Sequence, residues 1–160
     1  MGDRAQELIR ALNLEPHPEG GLYREVFRSP DRVRSPHGPE RSALTTIYFM
    51  VPAGRWSRWH RVAHDEAWHF YEGDPLELLT LDPGLDRLER RILSPVGGGG
   101  EPVAVVPAGH WQAARATRGY ALVGCTVGPG FEADDFTLMR DDPGTMATLS
   151  RRHPDLNAWL

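Results

Sequence analysis

Five proline–glycine stops, Pro52-Ala53-Gly54, Glu72-Gly73-Asp74-Pro75, Asp82-Pro83-Gly84, Pro107-Ala108-Gly109 and Gly128-Pro129-Gly130, cut the middle of this chain into short runs. Proline removes a backbone donor and glycine favours positive φ, so helices cannot run through these points. The runs between them are rich in β-branched and aromatic residues, as half-buried strands are. Leu22 to Arg28, Ala43 to Val51, Glu66 to Tyr71, Leu76 to Leu81, Arg87 to Leu93, Val103 to Val106, Tyr120 to Val127 and Phe136 to Arg140 read as strands. The pair flanking Asp82-Pro83-Gly84 reads as a hairpin. About eight short strands with helices only at the ends predict an all-β sandwich or barrel.

At the N-terminus Ala5, Leu8, Ile9 and Leu12 fall at helical spacing, with Asp3 and Gln6 as a capping pair. The segment from Glu15 to Gly21 ends that helix. Pro143 to Leu160 is expected to hold one or two short helices packed on the barrel. No repeat, linker or low-complexity tract divides the chain. The expected layout is a single domain, 1–160, with a helix over 1–14, strands over 20–141 and a helical tail over 142–160.

Composition closes several functional classes. All 18 basic residues are arginine, so Schiff-base chemistry, a pyridoxal-phosphate anchor and a P-loop lysine are excluded. The Gly97 to Gly100 run is therefore a loop and no phosphate cradle. The net charge of -4 offers no footprint for nucleic acid. No apolar run approaches the length of a membrane span, and the opening residues carry no signal-peptide core, so a cytoplasmic protein is expected. Cys125, the single cysteine, sits in an apolar run and reads as a buried inert thiol.

The segment from Gly54 to Gly73 is densest in chemistry: His60 ends one expected strand, and Glu66 starts the next after a short turn. That places an imidazole beside a carboxylate on neighbouring antiparallel strands, suited to metal ligation or to acid–base work. Strand parity puts Glu66, Trp68 and Phe70 on one face and His69 on the other. His64 falls in the turn, where exposure is expected. His110 reads as surface or rim. Tyr23 and Arg24, after the glycine pair Gly20-Gly21, are able to present a phenol and a guanidinium to an anion, or to form an ordinary edge strand.

Gly54, His60, Glu66 and Gly73, followed by Pro107 and Gly109, stand at the spacing of the two cupin motifs, and the chain resembles that superfamily. It departs from the pattern twice: Val62 stands for the second histidine of the first motif, and Gln112 for the histidine of the second. A narrower resemblance, to the uncharacterised cupin family DUF985 (cupin-5), rests on five segments in order. These are His17 to Glu25, Thr46 to Phe49, His60-Arg61 with Asp65 to Phe70, Val106 to Ala113, and Gly128 to Glu132. The resemblance implies a double-stranded β-helix (jelly-roll) barrel that dimerises through an edge strand, with a small-molecule pocket inside, and it implies no reaction.

Three readings of function follow. The leading one is a metal-independent isomerase- or epimerase-like enzyme acting on a small polar, sugar-like or carbonyl substrate, by analogy with metal-free sugar-nucleotide epimerases of the superfamily. His60 is its expected base, Glu66 orients His60, and Tyr23 or Tyr48 returns the proton. Tyr48, Trp68, Phe70, Gln112 and Arg24 are expected to line the pocket. The second reading is a non-catalytic module that binds or senses a metabolite. The third is a weakly bound divalent metal held by His60, His64 or Gln112, and Glu66; no cofactor is otherwise expected.

Overall fold

The computed structural model describes residues 2–160. Helix α1 (Asp3–Leu12) leads into strands β1 (Glu15–Pro16), β2 (Leu22–Arg28), β3 (Arg32–Ser35), β4 (Gly38–Ser42), β5 (Thr45–Val51), β6 (Trp56–Arg61) and β7 (Asp65–Gly73). Then come β8 (Leu76–Leu81), β9 (Leu88–Leu93), β10 (Val103–Val106), β11 (Trp111–Ala116), β12 (Ala121–Gly128) and β13 (Thr137–Leu138). Helix α2 (Pro143–Arg152) and a 3-10 turn (Pro154–Trp159) form the tail. None of these helices is long and apolar enough to cross a membrane.

Two sheets stack as a jelly-roll sandwich without closing into a hydrogen-bonded cylinder. One has the order β1-β2-β5-β12-β7-β10, the other β13-β6-β11-β8-β9, and β3 with β4 makes a separate hairpin. Phe49, Trp68, Val123 and Cys125 of the first sheet pack between the layers on Leu76, Leu78 and Ala114 of the second. The outer faces are also covered. Helix α1 lays Ala5 and Leu8 on Met50 and Leu122, while Leu149, Leu156 and Trp159 of the tail lie on Trp59, Leu79, Leu81 and Trp111. This explains β8, whose residues are buried on both faces and which carries leucine at four of its six positions without strict alternation.

The structure corrects the sequence reading in five places. β11 is a full strand where none was expected, concealed by Trp111 and Arg115 on its outer positions, and the β3–β4 hairpin is likewise an addition, whereas β6 is the strand expected to end at His60 and runs one residue beyond it. Phe136 to Arg140 contributes only β13 before turning into a 3-10 helix (Met139–Asp141). Helix α1 starts from Gly2 with no side-chain cap, because Asp3 is already helical. β6 and β7 are not neighbours in one sheet. His60 and Glu66 therefore look at each other across the sandwich instead of along a ladder.

Candidate functional site

The site begins with the turn over residues 17–21. Gly20 adopts φ +102°, and a Cβ there would lie 2.2 Å from the Trp56 carbonyl oxygen, so only glycine lets the turn settle on β6. Arg58 N–H donates to the Glu19 carbonyl at 2.8 Å and locks it there. The Glu19 side chain is thereby carried between the layers, 6% exposed, where Ser57 Oγ donates to its Oε1 at 2.8 Å.

Glu19 Oε2 lies 3.0 Å from His60 Nε2. His60 Nδ1 donates to the Arg58 carbonyl at 2.6 Å, which fixes the other nitrogen as the one facing Glu19. Burial raises the pKa of Glu19 and lowers that of His60, in each case as the leading cause. In the neutral forms that both shifts favour, a Glu19 carboxyl O–H donates to Nε2 and the pair holds that proton between oxygen and nitrogen. His17 Nδ1 accepts from the Glu19 amide at 3.2 Å, which leaves its proton on Nε2. Burial lowers the pKa of His17 as well.

Glu66 approaches from the opposite sheet. Gln112 is the Cα partner of His60 on the adjacent strand and donates to Glu66 Oε1 at 2.6 Å, while the Trp68 indole donates to Gln112 Oε1 at 2.8 Å. This relay leaves Glu66 Oε2 to the cavity. The Glu66 pKa is pushed up to about 7, first by burial; His60 opposes the rise, Glu19 adds to it, and the bonds from Gln112 and Trp68 reduce it. Burial, with Glu66 and Glu19 behind it, raises the Cys125 thiol well above its usual range. Cys125 therefore lines the cavity as a protonated thiol.

A buried acid with a raised pKa has a consequence for stability. Between the ordinary glutamate value of 4.5 and about 7 the unfolded chain has released this proton and the folded chain keeps it, so stability falls as pH rises through that window. At about 1.4 kcal/mol per unit the Glu66 contribution amounts to about 3 kcal/mol. Urea unfolding at pH 5 and pH 8 is expected to show that loss, and Glu66→Gln to remove most of it.

His17, Glu19, His60, Glu66, Trp68 and Cys125 share one cavity of about 480 Å³. Tyr23, Arg24, Arg28 and Phe136 are among the other residues of its wall, with Phe136 stacked on His60 at a centroid distance of 5.5 Å and Tyr23 edge-on to His17 at 4.6 Å. Of the expected residues, His60, Glu66, Trp68, Tyr23 and Arg24 do line it. Gln112 does not; it is fully buried behind Glu66 and acts through it. Tyr48 lies on the outer face of its sheet beside α1, and Phe70 packs against the core between the layers. Sequence reasoning passed over Glu19, His17 and Phe136. The Gly20-Gly21 pair did signal close backbone approach, but attention fell on the residues after it.

His64 is not an exposed turn residue and stands apart from this cavity. It is 2% exposed, with Nε2 2.5 Å from Ser35 Oγ and Nδ1 3.3 Å from Arg41 Nη1, while Arg41 also pairs with Asp135. Serine, histidine and aspartate so placed resemble a hydrolytic triad, but the guanidinium can only donate. His64 Nδ1 must therefore accept and Nε2 must donate to Ser35, the reverse of what a base requires. The cluster ties the β3–β4 hairpin to the 3-10 helix Ala133–Asp135 beside the cavity wall. A shallower depression borders it, lined by His37, Asp135 and Val62, and Val62 lines the main cavity too.

The residues present do not fit the resident metal ion that cupin-like motifs suggest. Val62 and Gln112 replace two ligands, the Gln112 oxygen is engaged by Trp68, both His60 nitrogens are engaged, and His64 is in another cluster. Among the described residues no group of three His, Cys, Asp or Glu side chains is placed to hold an ion.

A family model described as Cupin superfamily (DUF985) matches residues 6–139. The chain is similar to a hypothetical protein from Leishmania major at 33% identity, over 96% of this chain and 94% of that one, with a TM-score of 0.83. It is similar in the same degree to a protein from Shewanella oneidensis: 33% identity, 96% and 92% coverage, TM-score 0.80. A cupin 2 domain-containing protein from Halorhodospira halophila shares the fold at 19% identity, with 91% and 86% coverage and a TM-score of 0.56. No curated protein matches the chain.

Proposed function

The chain belongs to the DUF985 family of the cupin superfamily, and from that premise we propose that it is a metal-independent enzyme that moves a proton on a carbon next to a carbonyl in a small polar substrate, as isomerases and epimerases do. The observation that carries this reading is the meeting of two proton-holding units on one cavity: Glu66, titrating near neutrality, and the Glu19–His60 pair. A group with a pKa near the working pH is the most effective proton carrier. Glu66 Oε2 takes the proton from carbon, and the Glu19–His60 pair gives its shared proton to the carbonyl oxygen of the resulting enolate. For an epimer, Tyr23 delivers a proton to the same carbon from the other face while the pair takes its proton back from oxygen, and Glu66 and Tyr23 are reset through solvent; for an isomer, Glu66 delivers its proton to the neighbouring carbon while the pair takes the proton of the adjacent hydroxyl.

Roles shift accordingly from those first expected. His60 works as half of an acid pair and Glu66 as the base, while Tyr23, on the cavity wall beside His17, is the remaining hydroxyl able to relay a proton. Arg24 is exposed at the rim and among the described residues its hydrogen bond is to the Leu12 carbonyl at 3.4 Å, which leaves guanidinium donors for a substrate's polar end. Proton transfer is tested without knowledge of the product. Ligands found by thermal-shift screening of small carbonyl compounds are incubated with the protein in D2O, and C–H exchange is followed by NMR. Exchange at the carbon beside the carbonyl is expected. Ligands that bind tightly yet never exchange would leave a binding module instead.

A further inference from the structure

The walls of the cavity sort by charge. Its buried part holds two carboxyl groups, Glu19 and Glu66, and two imidazoles, with the indole of Trp68 and the ring of Phe136 beside them. It holds no guanidinium and no ammonium. The chain has no lysine, and the two arginines of the lining, Arg24 and Arg28, are exposed. Arg28 is already bound by Glu25 at 2.7 Å, by Glu132 at 3.4 Å and by the Phe131 carbonyl at 3.0 Å. Glu66, only 7% exposed, lines the cavity and, among the described residues, its short side-chain hydrogen bond is the one Oε1 accepts from Gln112, which leaves Oε2 for a ligand.

We propose that the ligand of this cavity is a small organic cation, a compound carrying a protonated amine, whose charge is held by Glu66 Oε2 and the aromatic wall. The inference rests on reading this cavity as the substrate site and names the class of substrate. A desolvated carboxylate is costly unless a positive charge accompanies it, and an amine supplies both the charge and the missing N–H donors. Indole and phenyl faces add attraction for the same charge. An anionic ligand would bring a third acid-type charge into a pocket with no cation to meet it. The class also suits the proposed chemistry. An ammonium next to the carbonyl acidifies the C–H bond, and its N–H on one lone pair of Oε2 holds Glu66 ionised while the second lone pair of that oxygen takes the carbon proton.

The pH response separates the alternatives. Glu66 is faced by His60 from β6, Glu19 from the turn before β2 and Cys125 from β12, with Gln112 and Trp68 as its uncharged partners. Binding of a cation favours ionised Glu66 and tightens as pH rises from 6 to 8; binding of an anion favours the protonated acid and weakens. The test uses ethanolamine, ethylene glycol and glycolate, a matched amine, alcohol and carboxylate, together with choline as a permanent cation. Thermal shift and titration calorimetry are run at pH 6 and pH 8 and constant ionic strength.

The amines are expected to stabilise the protein, with affinity at least about tenfold above the glycol and rising with pH, and Glu66→Gln to erase the preference. Glycolate binding as well as the amines, no binding of either amine, or a preference that survives Glu66→Gln would overturn the proposal. If Glu66→Gln fails to fold, the direction of the wild-type pH response decides alone. Amine binding that depends on Glu66, without deuterium exchange in any amine-bearing carbonyl compound, would keep the ligand class and remove the reaction.

Discussion

Glu66→Gln is expected to lower deuterium exchange on a bound carbonyl compound by about 100- to 10,000-fold, the range for loss of a positioned general base. The substitution keeps the size of the side chain. Glutamine can still present its carbonyl oxygen to the Gln112 amide, so the relay from Trp68 stays satisfied. What disappears is the lone pair that accepts a proton and the charge that burial resists. Activity and stability should therefore move in opposite directions. At pH 8 the variant unfolds at higher urea than the parent, while its exchange rate collapses. A variant that exchanges at the parental rate would mean that Glu66 carries no proton in turnover.

Gly20→Ala is expected to destabilise the protein by about 2–4 kcal/mol, read as a lower urea midpoint at unchanged slope. Two causes add. The backbone stands at φ +102°, which a residue with a side chain rarely adopts, and the new Cβ would press on a backbone oxygen that cannot swing away. Gly54→Ala supplies the control: its φ is +71°, but nothing lies within 4 Å of an added Cβ. It is expected to lose only about 1 kcal/mol. The variants differ in a second way. Gly20→Ala lifts the turn that carries Glu19, so the NMR titration of His60 should move toward ordinary histidine behaviour, whereas Gly54→Ala should leave it unchanged.

The sequence made the architecture readable because its turn chemistry is explicit. Wherever a Pro/Gly stop bounded an apolar run, as at β5, β8, β9 and β12, strand and boundary agreed within a few residues. β11 escaped, and β6 was legible only at its His60 end, because their outward positions carry Arg58, Arg61 and Arg115 beside large aromatics, which breaks the simple alternation. In the structure those arginines cover indoles, Arg61 over Trp111 and Arg115 over Trp56 and Trp159. Half of the site was legible in the same way. His60 and Glu66 flank a recognisable turn, and the cavity does contain both.

Glu19 was not legible, since its importance depends on a distant contact. A glutamate between a proline and two glycines looks like solvent-exposed loop until the turn is seen resting on β6. Gln112 presented the opposite problem. Its position in the second motif suggested a ligand, yet its hydrogen bonds spend both ends of the amide on Trp68 and Glu66. His64 misled for lack of the hairpin: without β3 and β4 nothing in the local sequence shows what buries it.

Val62 belongs to the wall of the main cavity and to that of the neighbouring depression. That aliphatic side chain is thus part of the partition between the chamber and the depression beside it.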